Sequence, residues 1–430
     1  MSEFDQDGDL IIDVVEVEQG TDPHDAVSRP GATPFRWPEQ VLGSEEGWLR
    51  GELHAHSSYG VGTESVSKVI ARAEKLNLDF LSILDRNTLA PALDESYRSN
   101  RLIMIPGMEW GTKESGVALV YTPGSMPSLP RSEEEMSVFT RLVQAQGGLV
   151  FAAHPCYPTS PWNWSAENLN GVQAWCMNWR AMPPMGIGLV HEHNRLRKDG
   201  RYVSSLARVS VLPGLSANGQ ASAYWDFEMR NGRQLTLIGG SQSGSPKVPM
   251  AEPVTYVYAK EKSLSGIMEG LRLGRTYVSK GLKGPKIEWV GDIFDDDSID
   301  VSMGGTVPLD YPTRYWVRVQ GAKDCKLEVV SNGITSRSVS ILMDDWVFSY
   351  VLNPGHLAVS KIRIVDDPEE MGFGLREVLA MTSPIFANGI VQTGDVEGEN
   401  GWVKIDNDYM APSRIDDFIN YLEDNFKPSN

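Results

Sequence analysis

Cysteine and positive charge are both scarce in this chain. Three cysteines, Cys156, Cys176 and Cys325, are spread over 430 residues, and no C-x-x-C pair occurs. So sparse and odd a count excludes a disulfide framework and a cysteine-built zinc site. No neighbouring feature lowers the thiol pKa of Cys156 or Cys176, so both read as small core residues, not nucleophiles. No run of about 20 apolar residues exists, which excludes a membrane-spanning helix. The N-terminus also lacks the basic-then-apolar pattern of a secretory signal. Lysine and arginine total 39 against 57 aspartates and glutamates, a formal net charge of −18. That balance argues against nucleic acid as a partner and against adhesion to anionic membranes. What remains is globular material: 41% hydrophobic and 9% aromatic residues suffice for a sizeable core. The length predicts two or three domains.

Histidine is rare too, but two of the seven stand one residue apart, in Gly51-Glu52-Leu53-His54-Ala55-His56-Ser57. Alternate side chains of a strand share a face. His54 and His56 can therefore present two imidazoles to one metal ion. A second pair lies in Val190-His191-Glu192-His193-Asn194. It reads as a solvent-facing loop or helix start, with replacement metal ligands as the alternative. His24 and His356 have no companions.

The chain divides into four parts. In the acidic segment 1–30, Asp5, Asp7, Asp9, Asp13 and Glu16 occupy positions 1, 3, 5, 9 and 12 of an EF-hand-like calcium loop. Leu10 stands where the turn glycine belongs. With Gly20-Thr21-Asp22-Pro23 the segment resembles one unit of the thrombospondin type 3-like calcium repeats. Bound calcium and an extracellular or periplasmic location are what that resemblance implies. A disordered acidic tail is the alternative.

Residues 45–285 alternate strand and helix. Val66, Val69, Ile70 and Ala73 recur at helical spacing, with Thr63 as the expected cap. Ser132-x-x-Glu135 is a capping box ahead of Met136, Phe139, Leu142 and Val143. Strands are expected over Phe80 to Asp85, Leu102 to Glu109, Gly148 to His154, Val172 to Trp175 and Leu235 to Gly239. Nearly continuous apolar strands between helices predict a parallel sheet or barrel. His54, Asp85, Glu109, His154 and Gln242 fall at the C-terminal ends of these runs, where catalytic groups gather in β/α barrels. Trp162, Trp164, Trp175, Trp179 and Trp225 read either as core or as the lining of a pocket for an apolar or sugar-like ligand. Residues 286–388 carry short β-rich runs between turns and read as a small β-sandwich. In 389–430, Ile415, Phe418, Ile419, Leu422 and Phe426 form one face of a helix capped by Ser413. That stripe docks on the protein's own body or on a protein partner.

His54-Ala55-His56-Ser57, Ile83-Leu84-Asp85-Arg86-Asn87, Pro106-Gly107-Met108-Glu109, Ala153-His154-Pro155 and Gly240-Ser241-Gln242-Ser243-Gly244 follow one another in an order that resembles the PHP (polymerase and histidinol phosphatase) superfamily. Leu271-Arg272-Leu273-Gly274-Arg275-Thr276-Tyr277-Val278-Ser279 and Thr382-Ser383-Pro384-Ile385 narrow the resemblance to its carbaryl-hydrolase-like branch. The likeness spans residues from about 50 to 388. It implies an α/β fold, a distorted seven-stranded β/α barrel followed by the C-terminal β-sandwich. It also implies up to three divalent metals, zinc, manganese or iron, and water activated by them for attack on phosphate, carboxylate or carbamate esters.

Carried over position by position, the first metal would take His54, His56, Glu109 and Gln242, the last replacing an aspartate. The second would take Glu109, His154 and Gln173. The third has lost its ligands, with Val61, Arg86 and Gly244 in their places. A guanidinium is always protonated and cannot ligate. Arg86 either neutralises Asp85 or Glu109, or grips an anionic group of a small-molecule ligand. Two functions stand open. In the first, the chain is a metallohydrolase homologue with a partly lost metal site, non-catalytic or weakly active, serving ligand binding or assembly. In the second, a one- or two-metal site still hydrolyses esters, with Asp85 as base or orienter and Arg86 stabilising charge.

Overall fold

The computed structural model describes residues 36–112, 115–157, 160–177, 217–293, 298–309, 312–352, 358–366 and 377–387. The calcium-loop residues Asp5, Asp7, Asp9, Asp13 and Glu16 lie outside this range, as do His191, His193, Trp179 and the expected helix after Ser413.

The strand Gly47–Ala55, which carries His54, pairs in parallel with Phe80–Ile83, and that strand with Ile103–Met104. On its other side Val254–Ala259 runs antiparallel, followed by Thr276–Ser279, Val378–Thr382 and Ala358–Val365 in one eleven-stranded sheet. A second sheet orders Gly107–Thr112, Gly116–Tyr121, Leu149–Ala153, Gly171–Cys176 and Thr236–Gly240. Its first two junctions are antiparallel and its last two parallel.

The unbroken apolar runs of this second sheet follow from burial on both faces. Val117, Leu119, Tyr121, Leu149, Phe151 and Ala153 pack inward, together with Ile238 of the same sheet, against Leu53 and Phe80 of the other sheet. Their neighbours Ala118, Val120, Val150 and Ala152 pack outward against Met136, Phe139 and Val143 of the helix Glu133–Ala145. Ser132 caps that helix, its side chain accepting from Glu135 N. The helix Val66–Lys75 buries Val66, Val69, Ile70 and Ala73 as expected, but its N-cap is Ser65. Thr63 N is instead spent on Gly244 O at 2.7 Å.

The two sheets do not close into one ladder. They meet at single parallel bridges, Ala55 with Ser243 and Arg86 with Glu109. Among the described residues the fold is mixed α/β and mostly sheet, and no closed seven-stranded barrel is present. One cause is local. The run expected to be a single strand from Leu102 to Glu109 contains Pro106, which has no N–H for a ladder. Its halves, Ile103–Met104 and Gly107–Thr112, belong to different sheets.

The β-rich region forms a four-stranded antiparallel sheet of Val301–Ser302, Lys286–Asp292, Thr313–Gln320 and Asp345–Leu352. Ile287, Trp289, Val317 and Val319 share a core with Leu327, Val329, Ile362 and Ile364 of the large sheet. The large sheet takes strands from both sides of residue 286, since Tyr277 pairs with Thr382. Trp162, Trp164, Trp175 and Trp225 are all buried in one cluster, so the described members of the tryptophan set are core. No described helix is long and apolar enough to cross a membrane.

The helix Ala217–Arg230 is tied to the large sheet by Lys361. Its side chain is 1% exposed, with the ammonium 2.6 Å from Asp226 Oδ1 and 4.4 Å above the Trp225 ring. Burial pulls the Lys361 pKa below its ordinary value, against the pull of Asp226. Removing Asp226 strands a buried cation, whereas Asp226 itself keeps some water contact. We expect Asp226→Ala to cost about 3–5 kcal/mol in denaturant unfolding, and Lys361→Met only about 1 kcal/mol.

Candidate metal centre

His54 lies near the end of Gly47–Ala55, and His56 immediately follows that strand. Glu109 sits inside Gly107–Thr112, and His154 directly follows Leu149–Ala153. The seam between the two sheets brings them together. His54, His56 and Glu109 each offer a ligand atom within 4.8 Å of the others, and all three are buried. Glu109 Oε2 is 3.6 Å from His56 Nε2 and 4.0 Å from His54 Nε2. Its Oε1 is 4.0 Å from His154 Nε2 and 3.8 Å from Arg86 Nη1. The His154 ring stacks on His54 at 6.0 Å with 14° between planes.

These distances are too long for hydrogen bonds and too short for intervening side chains. His54 Nε2, His56 Nδ1 and both nitrogens of His154 are buried without a hydrogen-bond partner. Orphaned polar atoms in a dry site are costly, and a divalent cation beside Glu109 would relieve His54 Nε2 and one nitrogen of His154. Imidazole nitrogen with one carboxylate suits zinc, manganese or iron. The residues present therefore fit a bound metal. Burial opposes the charged form of Glu109, but the surrounding imidazoles outweigh it and bring its pKa down to about 2. Burial dominates at His154 and pushes its pKa down to about 3, despite the pull of Glu109. Glu109 is thus ionised and His154 neutral near neutral pH, the forms in which both can ligate.

The backbone around these groups is held by buried polar contacts. Glu52 is fully buried, and its carboxylate accepts from His54 N at 2.9 Å, Ser241 N at 3.0 Å, Ser241 Oγ at 2.5 Å and Ala251 N at 2.9 Å. It fastens the His54 strand to the segment after Thr236–Gly240. Asp85 accepts from Ser57 N at 2.9 Å and from Ser57 Oγ, and stands 3.5 Å from His56 Nδ1. Gly60 passes so close that a Cβ there would lie 2.6 Å from Asp85 Oδ1. Asn87 exchanges two hydrogen bonds with the backbone of Gly111, and its N–H donates to Glu109 O at 2.6 Å. His154 adopts φ 29°, an uncommon conformation for a residue with a side chain, at the point where its strand ends.

The six positions expected to carry metal thus separate by what they touch. His54, His56, Glu109 and His154 face one another. Gln173 is fully buried beside them, its Oε1 3.1 Å from His54 Nδ1. Gln242, at φ 52°, lies between Ser241, bonded to Glu52, and Ser243, whose carbonyl accepts from His56 N at 3.1 Å. Of the expected catalytic pair, Asp85 is engaged by Ser57, while Arg86 is 38% exposed and faces Glu109. Cys156 and Cys176 are buried, and burial raises both thiol pKa values, as suits inert core residues. Glu52 and Ser241 are the parts that motif reading missed. The available signal was an acid two residues before His54, on the same strand face.

No family model matches the sequence, and no curated protein does. Among solved structures, the chain is similar to a two-domain protein from Bacteroides vulgatus containing a predicted PHP-like metal-dependent phosphoesterase. The identity is 15%, the match covers 81% of this chain and all of that one, and the TM-score is 0.36. It is also similar to a Bifidobacterium adolescentis protein assigned as a metal-dependent phosphoesterase. There the identity is 14%, with 47% of this chain and 91% of that one covered and a TM-score of 0.30.

Glu52 gives a test of the scaffold. In Glu52→Gln the amide nitrogen must face a donor and the charge is lost. We expect on the order of 3 kcal/mol of destabilisation by denaturant unfolding, with no gain from added metal.

Proposed function

We propose that this chain is a PHP-like metallohydrolase homologue whose His54, His56, Glu109 and His154 hold one divalent cation. Beside it, Arg86 takes an anionic group of a small-molecule ligand. The observation that carries this reading is the group of partnerless imidazole nitrogens around one ionised, buried carboxylate. A cation bound there would act as a Lewis acid toward an ester oxygen or a water. The protein's own residues then divide the remaining work. Arg86 keeps part of its guanidinium in solvent, on the Glu109 side of the site, where a bidentate hold on phosphate or carboxylate oxygens is open to it. Asp85 steadies Ser57, the residue after His56.

On this reading ligand binding outlasts fast turnover, because the one expected base, Asp85, already accepts from Ser57 N and Oγ. The second reading, an active hydrolase of phosphate, carboxylate or carbamate esters, is favoured by the two-histidine, one-carboxylate donor set, which suffices for hydrolytic zinc in other folds. Metal analysis of the protein after reconstitution with Zn2+, Mn2+ or Fe2+ is expected to find one ion per chain, lost in His54→Ala/His56→Ala. Its absence from the parent would sink both readings. Binding of inorganic phosphate to the loaded protein should weaken about tenfold or more in Arg86→Ala. Turnover of any of the three ester classes that vanishes with the metal and in the double variant would establish the hydrolase instead.

A further inference from the structure

Gln173 occupies a position where the resemblance implies a metal ligand, yet its amide is already committed on both sides. Its Nε2 lies 3.5 Å from Gly240 O, and its Oε1 3.1 Å from His54 Nδ1. A carbonyl oxygen only accepts, so the NH2 end of the amide belongs against Gly240. The amide oxygen is thereby turned to His54, and an oxygen that only accepts requires the proton on Nδ1. In the neutral ring His54 Nε2 is then left with its lone pair, buried, partnerless and 4.0 Å from Glu109 Oε2. Two acceptors facing each other across that distance repel unless a cation lies between them.

Gly240 makes the arrangement sterically feasible. A Cβ at that position would stand 2.6 Å from His54 Cβ and 2.8 Å from Gln173 Nε2. The strand pairing contributes too, since Gln173 is in register with Ala153, the residue before His154, and with Ile238 on the other side. Gln173 is fully buried, so water does not compete for His54 Nδ1.

We propose that Gln173 is a positioning residue and not a ligand: its amide oxygen holds His54 in the Nδ1–H tautomer and aims Nε2 at the metal position beside Glu109. This rests on the metal reading above for its consequence, but the tautomer itself belongs to the metal-free protein. Partners of this kind fix ring orientation in metal sites, and their loss typically costs 10- to 100-fold in metal affinity.

Nitrogen NMR of the metal-free protein labelled in histidine reads the tautomer directly, with the His54 signal identified by its loss in His54→Asn. The parent is expected to show Nδ1 protonated and Nε2 bare. Gln173→Leu is expected to show mixed tautomers, with Zn2+ affinity, by chelator competition, lower by about 10- to 100-fold. If the leucine variant does not fold, Gln173→Asn withdraws the amide from the ring and is read the same way. An Nε2-protonated His54 in the parent overturns the proposal. So does an unchanged tautomer in a folded Gln173→Leu or Gln173→Asn, the result a direct ligand would give. A parent that shows the Nδ1–H tautomer but takes up no Zn2+ defeats the metal reading while upholding this assignment of Gln173.

Discussion

One ionised carboxylate, closed off from water among imidazoles, sets the terms for this molecule. Glu109 is buried, and burial alone would drive it to pick up a proton. Its pKa is instead held near 2 by His54, His56 and His154. Glu109, the His54–His56 pair and His154 come from three different stretches of chain, so the charge is tolerable only when the two sheets are correctly joined. The arrangement around it is correspondingly stiff. Glu52 pins the His54 strand to Ser241 and Ala251, Asp85 pins the turn at Ser57, and Asn87 pins the Arg86 segment to Gly111. Positions this constrained lose little on binding an ion, which is the usual reason for building a site on strands and their ends.

The joint between the sheets is made twice, once at Ala55 and Ser243 and once at Arg86 and Glu109. Both bridges fall at the metal centre. The place where the hydrogen-bond ladders fail to continue is therefore the place where polar side chains collect. Regular pairing would have buried backbone groups there and left no opening for a ligand. The interior between the sheets, by contrast, is apolar, filled by Leu53, Phe80, Leu119, Tyr121 and Phe151.

Much of the fold was legible in residue patterns. The continuous apolar run Leu149 to Ala153 is a run of buried strand residues, and the helix at Val66–Lys75 is visible in its spacing. The cap was misplaced by two residues because Thr63 and Ser65 are equally plausible caps locally. Only the distant carbonyl of Gly244 decides between them. The break at Pro106 has a local cause that periodicity alone overrides. That the two halves enter different sheets is decided by the strand each pairs with, Phe80–Ile83 for the first and Gly116–Tyr121 for the second.

The site divides along the same line. Which residue types could bind a metal follows from chemistry. His54, His56, Glu109 and His154 carry lone pairs in a suitable set, and Arg86 at a ligand position cannot ligate, whatever the fold. Which of them converge, and which atoms remain free, depends on contacts between residues far apart in the chain. Gln173 and His54 are 119 residues apart, and Glu52 and Ser241 are 189 apart. A hydrogen bond depends on distance and angle, and these arise only when the strands are registered. Composition and order thus established the donors, while the packing of one sheet against another assigned Gln173 its contact with a histidine and gave Glu52 its role in holding the strand.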